Sequence, residues 1–280
     1  MAFMQVNFFS KALMRTVTVN VLCPTDKMVF PGQAAPEKKP LKTLYLLHGI
    51  FGDHTDWVNG TRLQSWAQDK GLCVVMPAGE NHFYVDNPKT ESYFGKFIGE
   101  DLVQFTRDTF RLSDKREDTF IGGLSMGGYG AIVNGLKYSD TFGRIIMLSA
   151  GMILDSVLAS KPDDPMPTHR RGFYEGVFGD LDQLKGSDKD YKALILQLKA
   201  AGKPIPAIYQ CCGTEDFLYE KNCDFRDFLR EQGVDVTWEE GPGVHNWVFW
   251  DTYIKKALDW LPLGESVQGV SSGNVRSEKK

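Results

Sequence analysis

The sequence predicts an α/β fold: a mostly parallel, doubly wound central sheet, an antiparallel hairpin at its N-terminal end, and a cap-like insertion. Three observations carry this. Short apolar runs alternate with helix-spaced segments from residue 41 to residue 260. Gly123-Leu124-Ser125-Met126-Gly127 places a glycine-flanked serine between an apolar run and a helix-compatible one. Residues 151–203 break the rhythm with Pro162, Pro165, Pro167 and the pair Arg170-Arg171. A long insertion at such a point reads as a cap over a site.

The elements follow in order. Gln5 to Phe9 and Arg15 to Leu22 alternate and are rich in Val, Thr and Phe, so they read as a hairpin. Cys23 to Pro40 is loop. Leu41 to Leu47 and Leu72 to Met76 are short apolar runs of the kind a parallel sheet buries on both faces. Between them Arg62 to Lys70 reads as a helix stopped by Gly71. Asn81 to Gly95 is polar and aromatic and reads as irregular loop. Phe97, Leu102, Phe105 and Phe110 give helical spacing over Lys96 to Phe110. The run from Thr119 enters the serine as a strand, and Ala131 to Lys137 leaves it as a helix. Arg144 to Leu148 is a strand. Within the insertion, Asp188 to Ala200 is a helix. Strands then follow at Ile205 to Cys211 and Val234 to Glu239, with helices at Tyr219 to Gln232 and Trp247 to Trp260. Residues 1–262 form one catalytic domain in this reading, and Leu263 to Lys280 a disordered tail.

Composition narrows the function classes. A net charge of -4 gives no electrostatic footprint for nucleic acid. No apolar run approaches the ~20 residues of a membrane span. The first 22 residues mix Gln5, Asn7, Lys11 and Arg15 with apolar residues, so no signal peptide is expected. Cys23, Cys73, Cys211, Cys212 and Cys223 are odd in number and match no zinc or redox spacing, which fits free thiols in the cytoplasm.

The serine motif carries the chemistry. A serine on a strained strand-to-helix turn lifts its hydroxyl clear of the sheet, and side chains at Gly123 or Gly127 would strike neighbouring backbone. Its hydroxyl needs a base. In an α/β-hydrolase fold the order is serine, acid, histidine. Of five histidines, His48, His54 and His82 precede the serine, and His169 lies in the insertion. His245, in a Gly/Pro loop between the last strand and the last helix, is the base. The acid belongs at another strand end, where Glu215 and Asp216 stand side by side; the strand-G-x-x-D pattern favours Asp216. One oxyanion donor is the Met126 N–H. The other is the Ile50 N–H, in His48-Gly49-Ile50-Phe51-Gly52, where Gly49 lets the backbone turn and His48 braces the loop. Trp57 and Trp247 are the substrate-pocket candidates. Asp53-His54-Thr55-Asp56 fits no metal signature and reads as a solvated loop, and the chemistry needs neither metal nor cofactor.

Four stretches together resemble an esterase family of the α/β-hydrolases that includes tributyrin, feruloyl and acetyl-xylan esterases, S-formylglutathione hydrolases and mycolyltransferases. They are Leu44 to Trp57, Gly122 to Ala131, Cys212 to Leu218 and Gly243 to Trp250. The resemblance spans about Gln5 to Leu261. It implies a triad of Ser125, Asp216 and His245 with Ile50 and Met126 as oxyanion donors, a small-molecule ester as substrate, and self-association as a homo-oligomer. Leu124 and Trp247 depart from the S-formylglutathione hydrolase pattern, which has a histidine at the first place and a tyrosine at the second. The expected function is therefore a serine carboxylesterase for short-chain acyl esters, acetylated or feruloylated sugars among them. An S-formylglutathione hydrolase-like thioesterase or an acyltransferase with the same triad is the alternative. The rival from outside enzymology is a silent binding scaffold.

Overall fold

The structure is a computed structural model, and it describes residues 1–26 and 39–264. Most of the loop expected over Cys23 to Pro40, and all but two residues of the expected tail, lie outside the described residues.

Eight strands form one sheet. β1 (Ala2–Ser10) and β2 (Arg15–Cys23) are the hairpin, paired antiparallel over their full lengths. β3 (Thr43–Leu47) and β4 (Cys73–Pro77) follow, separated by α1 (Asp56–Gly60) and α2 (Leu63–Lys70). The region expected as irregular holds a two-stranded ribbon, β5 (Asp86–Asn87) with β6 (Ser92–Tyr93). The helix expected over Lys96 to Phe110 is in three parts: α3 (Phe94–Lys96), a π-helical turn at Phe97–Asp101, and α4 (Leu102–Thr109). β7 (Thr119–Leu124) leads into α5 (Met126–Lys137), which starts five residues before the expected boundary.

β8 (Arg144–Leu148) precedes the insertion, which contributes α6 (Leu154–Leu158), α7 (Arg171–Phe178) and α8 (Tyr191–Ala200). Asp190 caps α8 by accepting from the Lys192 and Ala193 N–H groups, so the helix begins after it and not at Asp188. β9 (Ala207–Gly213), α9 (Tyr219–Glu231), β10 (Val236–Gly241) and α10 (Trp247–Trp260) complete the chain. The sheet order is β1-β2-β4-β3-β7-β8-β9-β10, and every pairing from β4 to β10 is parallel.

The sequence explains why both faces are covered. Successive residues of a strand point to opposite faces. Leu44, Leu46, Phe120 and Ile146 pack with α1, α2 and α10, while Tyr45, Leu47, Ile121 and Ile145 pack under α4, α5, α8 and α9. All residues from Met126 to Leu136 of α5 are buried. A helix apolar all round must be covered on both sides. The sheet covers one side and α8 covers the other, tied by Tyr129 Oη donating to the Lys189 carbonyl at 2.6 Å.

The turn between β7 and α5 is where the packing is tightest. A Cβ on Gly127 would stand 2.4 Å from the Leu47 oxygen and 2.6 Å from the His48 oxygen, and one on Gly123 would stand 2.4 Å from Gly127 C and O. These contacts are backbone and cannot rotate away. Gly127→Ala should destabilise the fold by ~3 kcal/mol or more, read as a lower urea midpoint at constant slope. It should also cost activity, because the displaced backbone carries the loop beside the serine.

Candidate active site

The parallel strands deliver their loops to one edge of the sheet. β3 and β7 are neighbours there, with β4 and β8 continuing in opposite directions, so the site stands where the strand order reverses. Ser125 follows β7 with φ 52° and ψ -119°, a conformation unfavourable for any residue with a Cβ. Its carbonyl accepts from Gly151 N–H at 2.8 Å and Tyr129 N–H at 3.1 Å, which locks the turn. Its hydroxyl is 3.0 Å from His245 Nε2.

His245 lies in the loop after β10. Asn246, not His245, caps α10 by accepting from Phe249 N–H, which leaves the imidazole free for the site. His245 Nδ1 is 2.8 Å from Asp216 Oδ2. Asp216 ends the turn after β9, and its side chain is shut off from solvent. Its other oxygen accepts from Leu218 N–H at 2.9 Å. Burial pushes the Asp216 carboxyl up, but the hydrogen bonds from His245 and Leu218 outweigh it and hold the group below the ordinary carboxylate range. The adjacent acid has a different task. Glu215 accepts from Gly243 N–H and so braces the loop that carries the histidine.

The other wall of the site is the loop after β3. The His48 imidazole is buried, and burial pushes it below its ordinary range. Its Nε2 accepts from Gly79 N–H at 2.8 Å, so the proton sits on Nδ1, which donates to the Gly49 carbonyl at 2.7 Å. Tyr84 Oη donates to the His48 carbonyl, and Asn81 Oδ1 accepts from Phe51 N–H. His48 thus braces the loop as expected. The left-handed residue there is Phe51 at φ 70°, not Gly49. Ile50 and Met126 line the same cavity as Ser125, and among the described residues neither of their N–H groups has a protein acceptor.

That cavity is about 100 Å³. Its walls are largely apolar: Ile50, Phe83, Met126, Ile153, Phe217 and Leu218. Thr168, His169 and Tyr174 reach it from the insertion. Phe217 is 76% exposed and lays its ring 4.7 Å from that of His245. Spacing could not find most of these residues. Besides Ile50 and Met126, already placed as oxyanion donors, Phe217 carried a signal, since it directly follows the acid.

The two tryptophans proposed from sequence as pocket residues are corrected here. Neither Trp57 nor Trp247 lines the cavity. Trp57 is 1% exposed and donates its indole N–H to the Leu47 carbonyl at 3.0 Å; Trp247 packs edge to face against it. Trp57 belongs to the core between the sheet and α10, and Trp247 is partly buried against that core. Among the described residues no three His, Cys, Asp or Glu side chains are grouped to hold a metal, and Asp53 instead accepts from Thr55 in its own loop. All five cysteines are free thiols.

A family model described as "Putative esterase" matches residues 10–261. The chain belongs to this esterase family. It is a carboxylic ester hydrolase built on the α/β-hydrolase fold. The "Acetyl esterase" of Caldicellulosiruptor saccharolyticus is 45% identical over 261 residues, which cover 93% of this chain and 98% of that one. Among solved structures, the fluorophosphonate-binding serine hydrolase F of Staphylococcus aureus superposes with a TM-score of 0.81 at 33% identity, covering 93% and 98% of the two chains. An S-formylglutathione hydrolase from the same organism gives 0.79 at 33% identity over the same shares. No helix among the described residues of the esterase is long and apolar enough to cross a membrane.

Proposed function

We propose that this esterase hydrolyses esters of small acyl groups, acetyl foremost, through an acyl-Ser125 intermediate. The observation that carries the reading is the hydrogen-bonded chain from Ser125 Oγ through His245 to Asp216. His245 takes the hydroxyl proton as Ser125 attacks the ester carbonyl. The oxyanion rests on the Ile50 and Met126 N–H groups; losing one such donor typically costs ~3 kcal/mol of transition-state stabilisation. The alcohol leaves with the proton from His245. Water, deprotonated by the same imidazole, then releases the acid and frees the serine. Asp216 keeps the histidine in the tautomer this requires.

The size of the cavity supports the acyl preference. An apolar cavity of ~150 Å³ accepts one benzene, and the space beside Ser125 is about 100 Å³. An acetyl or butyryl chain fills such a space, whereas a feruloyl group, with a substituted ring and a propenoyl arm, would extend beyond it. The 45% identical relative named acetyl esterase points the same way. Residues 151–203 act as a cap, a reading supported by the cavity residues they supply. The catalytic domain is taken as residues 1–262, working in the cytoplasm, where free thiols persist, and as a homo-oligomer.

A second reading is favoured by the 33% identical S-formylglutathione hydrolase: the same triad acting on a small acyl thioester. A formyl group also suits the cavity, although Leu124 and Trp247 depart from the pattern of S-formylglutathione hydrolases given above. One experiment separates the two readings. p-Nitrophenyl esters from acetate to decanoate, methyl ferulate and S-formylglutathione are assayed in parallel. Acetate and butyrate should be turned over with kcat/KM falling steeply beyond about six carbons, and ferulate should be inert. A kcat/KM for S-formylglutathione above that for the acetate ester would move the substrate to thioesters. Efficient ferulate turnover would sink the small-acyl reading.

A further inference from the structure

Beside the triad, three tryptophans stand edge to face. Trp57 is hydrogen-bonded to the end of β3, where the Ile50 loop begins. Its ring meets that of Trp247 at 5.4 Å and 87°, and Trp247 meets Trp250 at 5.2 Å and 89°. Trp250 then meets the imidazole of His245 at 4.9 Å and 88°. The row is held close to α1, since a Cβ on Gly60 would stand 2.4 Å from the Trp247 ring. None of the three lines the cavity, so none is placed to touch substrate.

The end of the row nearest the site is pinned by a polar contact. Trp250 Nε1–H donates to Ser149 Oγ at 3.2 Å. Ser149 directly follows β8 and is fully buried. Its backbone is left-handed, with φ 44°. Glycine would hold that conformation without strain, while any residue with a Cβ meets a steric cost there. The hydroxyl gives a physical reason for serine. It accepts from the indole, and its own proton remains to be donated to the neighbouring Asp216 carboxylate. That bond adds to those from His245 and Leu218 in offsetting the burial that pushes the Asp216 carboxyl up.

We propose that Ser149 and Trp250 are positioning residues: the indole, anchored by the Ser149 hydroxyl, fixes the His245 ring in the attitude that reaches both Asp216 and Ser125. This rests on the reading of His245 as the general base. An imidazole in edge-to-face contact with a packed, hydrogen-bonded ring loses freedom to swing away from the serine. A misplacement of about 1 Å at such a group can cost ~100-fold in rate. Trp247 and Trp57 back the indole and connect it to the strand that carries the Ile50 loop.

Three variants test the proposal. Trp250→Phe keeps an aromatic ring and removes the N–H. Ser149→Gly removes the hydroxyl and relieves the backbone strain. Ser149→Ala removes the hydroxyl and keeps the strain. Each should lower kcat for p-nitrophenyl acetate by about ten- to a hundredfold with KM unchanged. Ser149→Gly should melt no lower than Ser149→Ala while being equally slow, a split that a purely structural serine would not produce. The far-downfield proton NMR signal of the His245 Nδ1–H bonded to Asp216 should weaken or broaden in all three. Wild-type kcat in Trp250→Phe and Ser149→Gly would overturn the proposal, as would rate losses that simply follow melting temperature. A wild-type enzyme that turns over no ester, or whose Ser125 is not labelled by a fluorophosphonate, would instead sink the triad reading itself.

Discussion

Ser125→Ala should lower kcat for a small ester by about 10⁶-fold, the scale of loss when a triad serine is removed from a hydrolase, and should abolish fluorophosphonate labelling. KM should change little, because the cavity walls around the acyl group are untouched. The fold should survive. Alanine also carries a Cβ, so the left-handed backbone at φ 52° is no more strained than before, and the locks on the Ser125 carbonyl are main-chain bonds. Ser125→Gly makes a sharper check. It removes the nucleophile and relieves the strain, so it should be equally dead and more stable by about 1 kcal/mol. Urea melts of the three proteins measure this. Loss of activity with loss of fold in Ser125→Ala would point to a structural serine, and full activity would remove it from the chemistry.

The site was legible where it depends on order along the chain, and illegible where it depends on how distant turns converge. The sequence order of serine, acid and histidine selects three residues that the fold brings within hydrogen-bond distance. The glycines at 123 and 127 could be read as contact requirements because their neighbours are main chain, whatever the fold's details. β8 and α10 match their expected bounds because each is a clean apolar or amphipathic run between turn residues.

Trp57 and Trp247 were misread because aromatic spacing does not distinguish a core wall from a pocket wall. Phe83 left no mark, and Thr168, His169 and Tyr174 were covered only by the reading of residues 151–203 as a cap. They reach the cavity from the irregular stretch before β5 and from the insertion. That stretch turns through left-handed Glu80, Phe83 and Tyr84, none of them glycine. Tertiary contacts hold such residues in place: Phe83 packs edge to face on Tyr129, and Tyr84 bonds to His48. Turn propensity carries no trace of that.

Asp216→Asn should lower kcat by about 10⁴-fold while leaving the fold intact. Asparagine has the same shape, and its Oδ1 can still accept from Leu218 N–H. Its NH₂ group then faces His245 Nδ1 and favours the tautomer that carries the proton on Nε2, where it can no longer accept from Ser125. Glu215→Gln is the control. It weakens only the brace on Gly243, so it should cost a small fraction of that loss. The comparison tests the assignment of the two adjacent acids. A larger effect from Glu215→Gln would reverse it.

The pH dependence follows from the same pair. The Asp216 carboxyl is held below the ordinary aspartate value of ~3.9. A depressed acid stabilises the fold fully above that value and loses its contribution only as pH falls through its lower folded value. Asp216 is therefore ionised throughout mild acid. The Asp216–His245 hydrogen bond thus keeps its charged acceptor from neutral pH down to about 5, and near-ultraviolet circular dichroism should be unchanged over that range. Tertiary signal lost within that range would contradict the depressed Asp216 carboxyl.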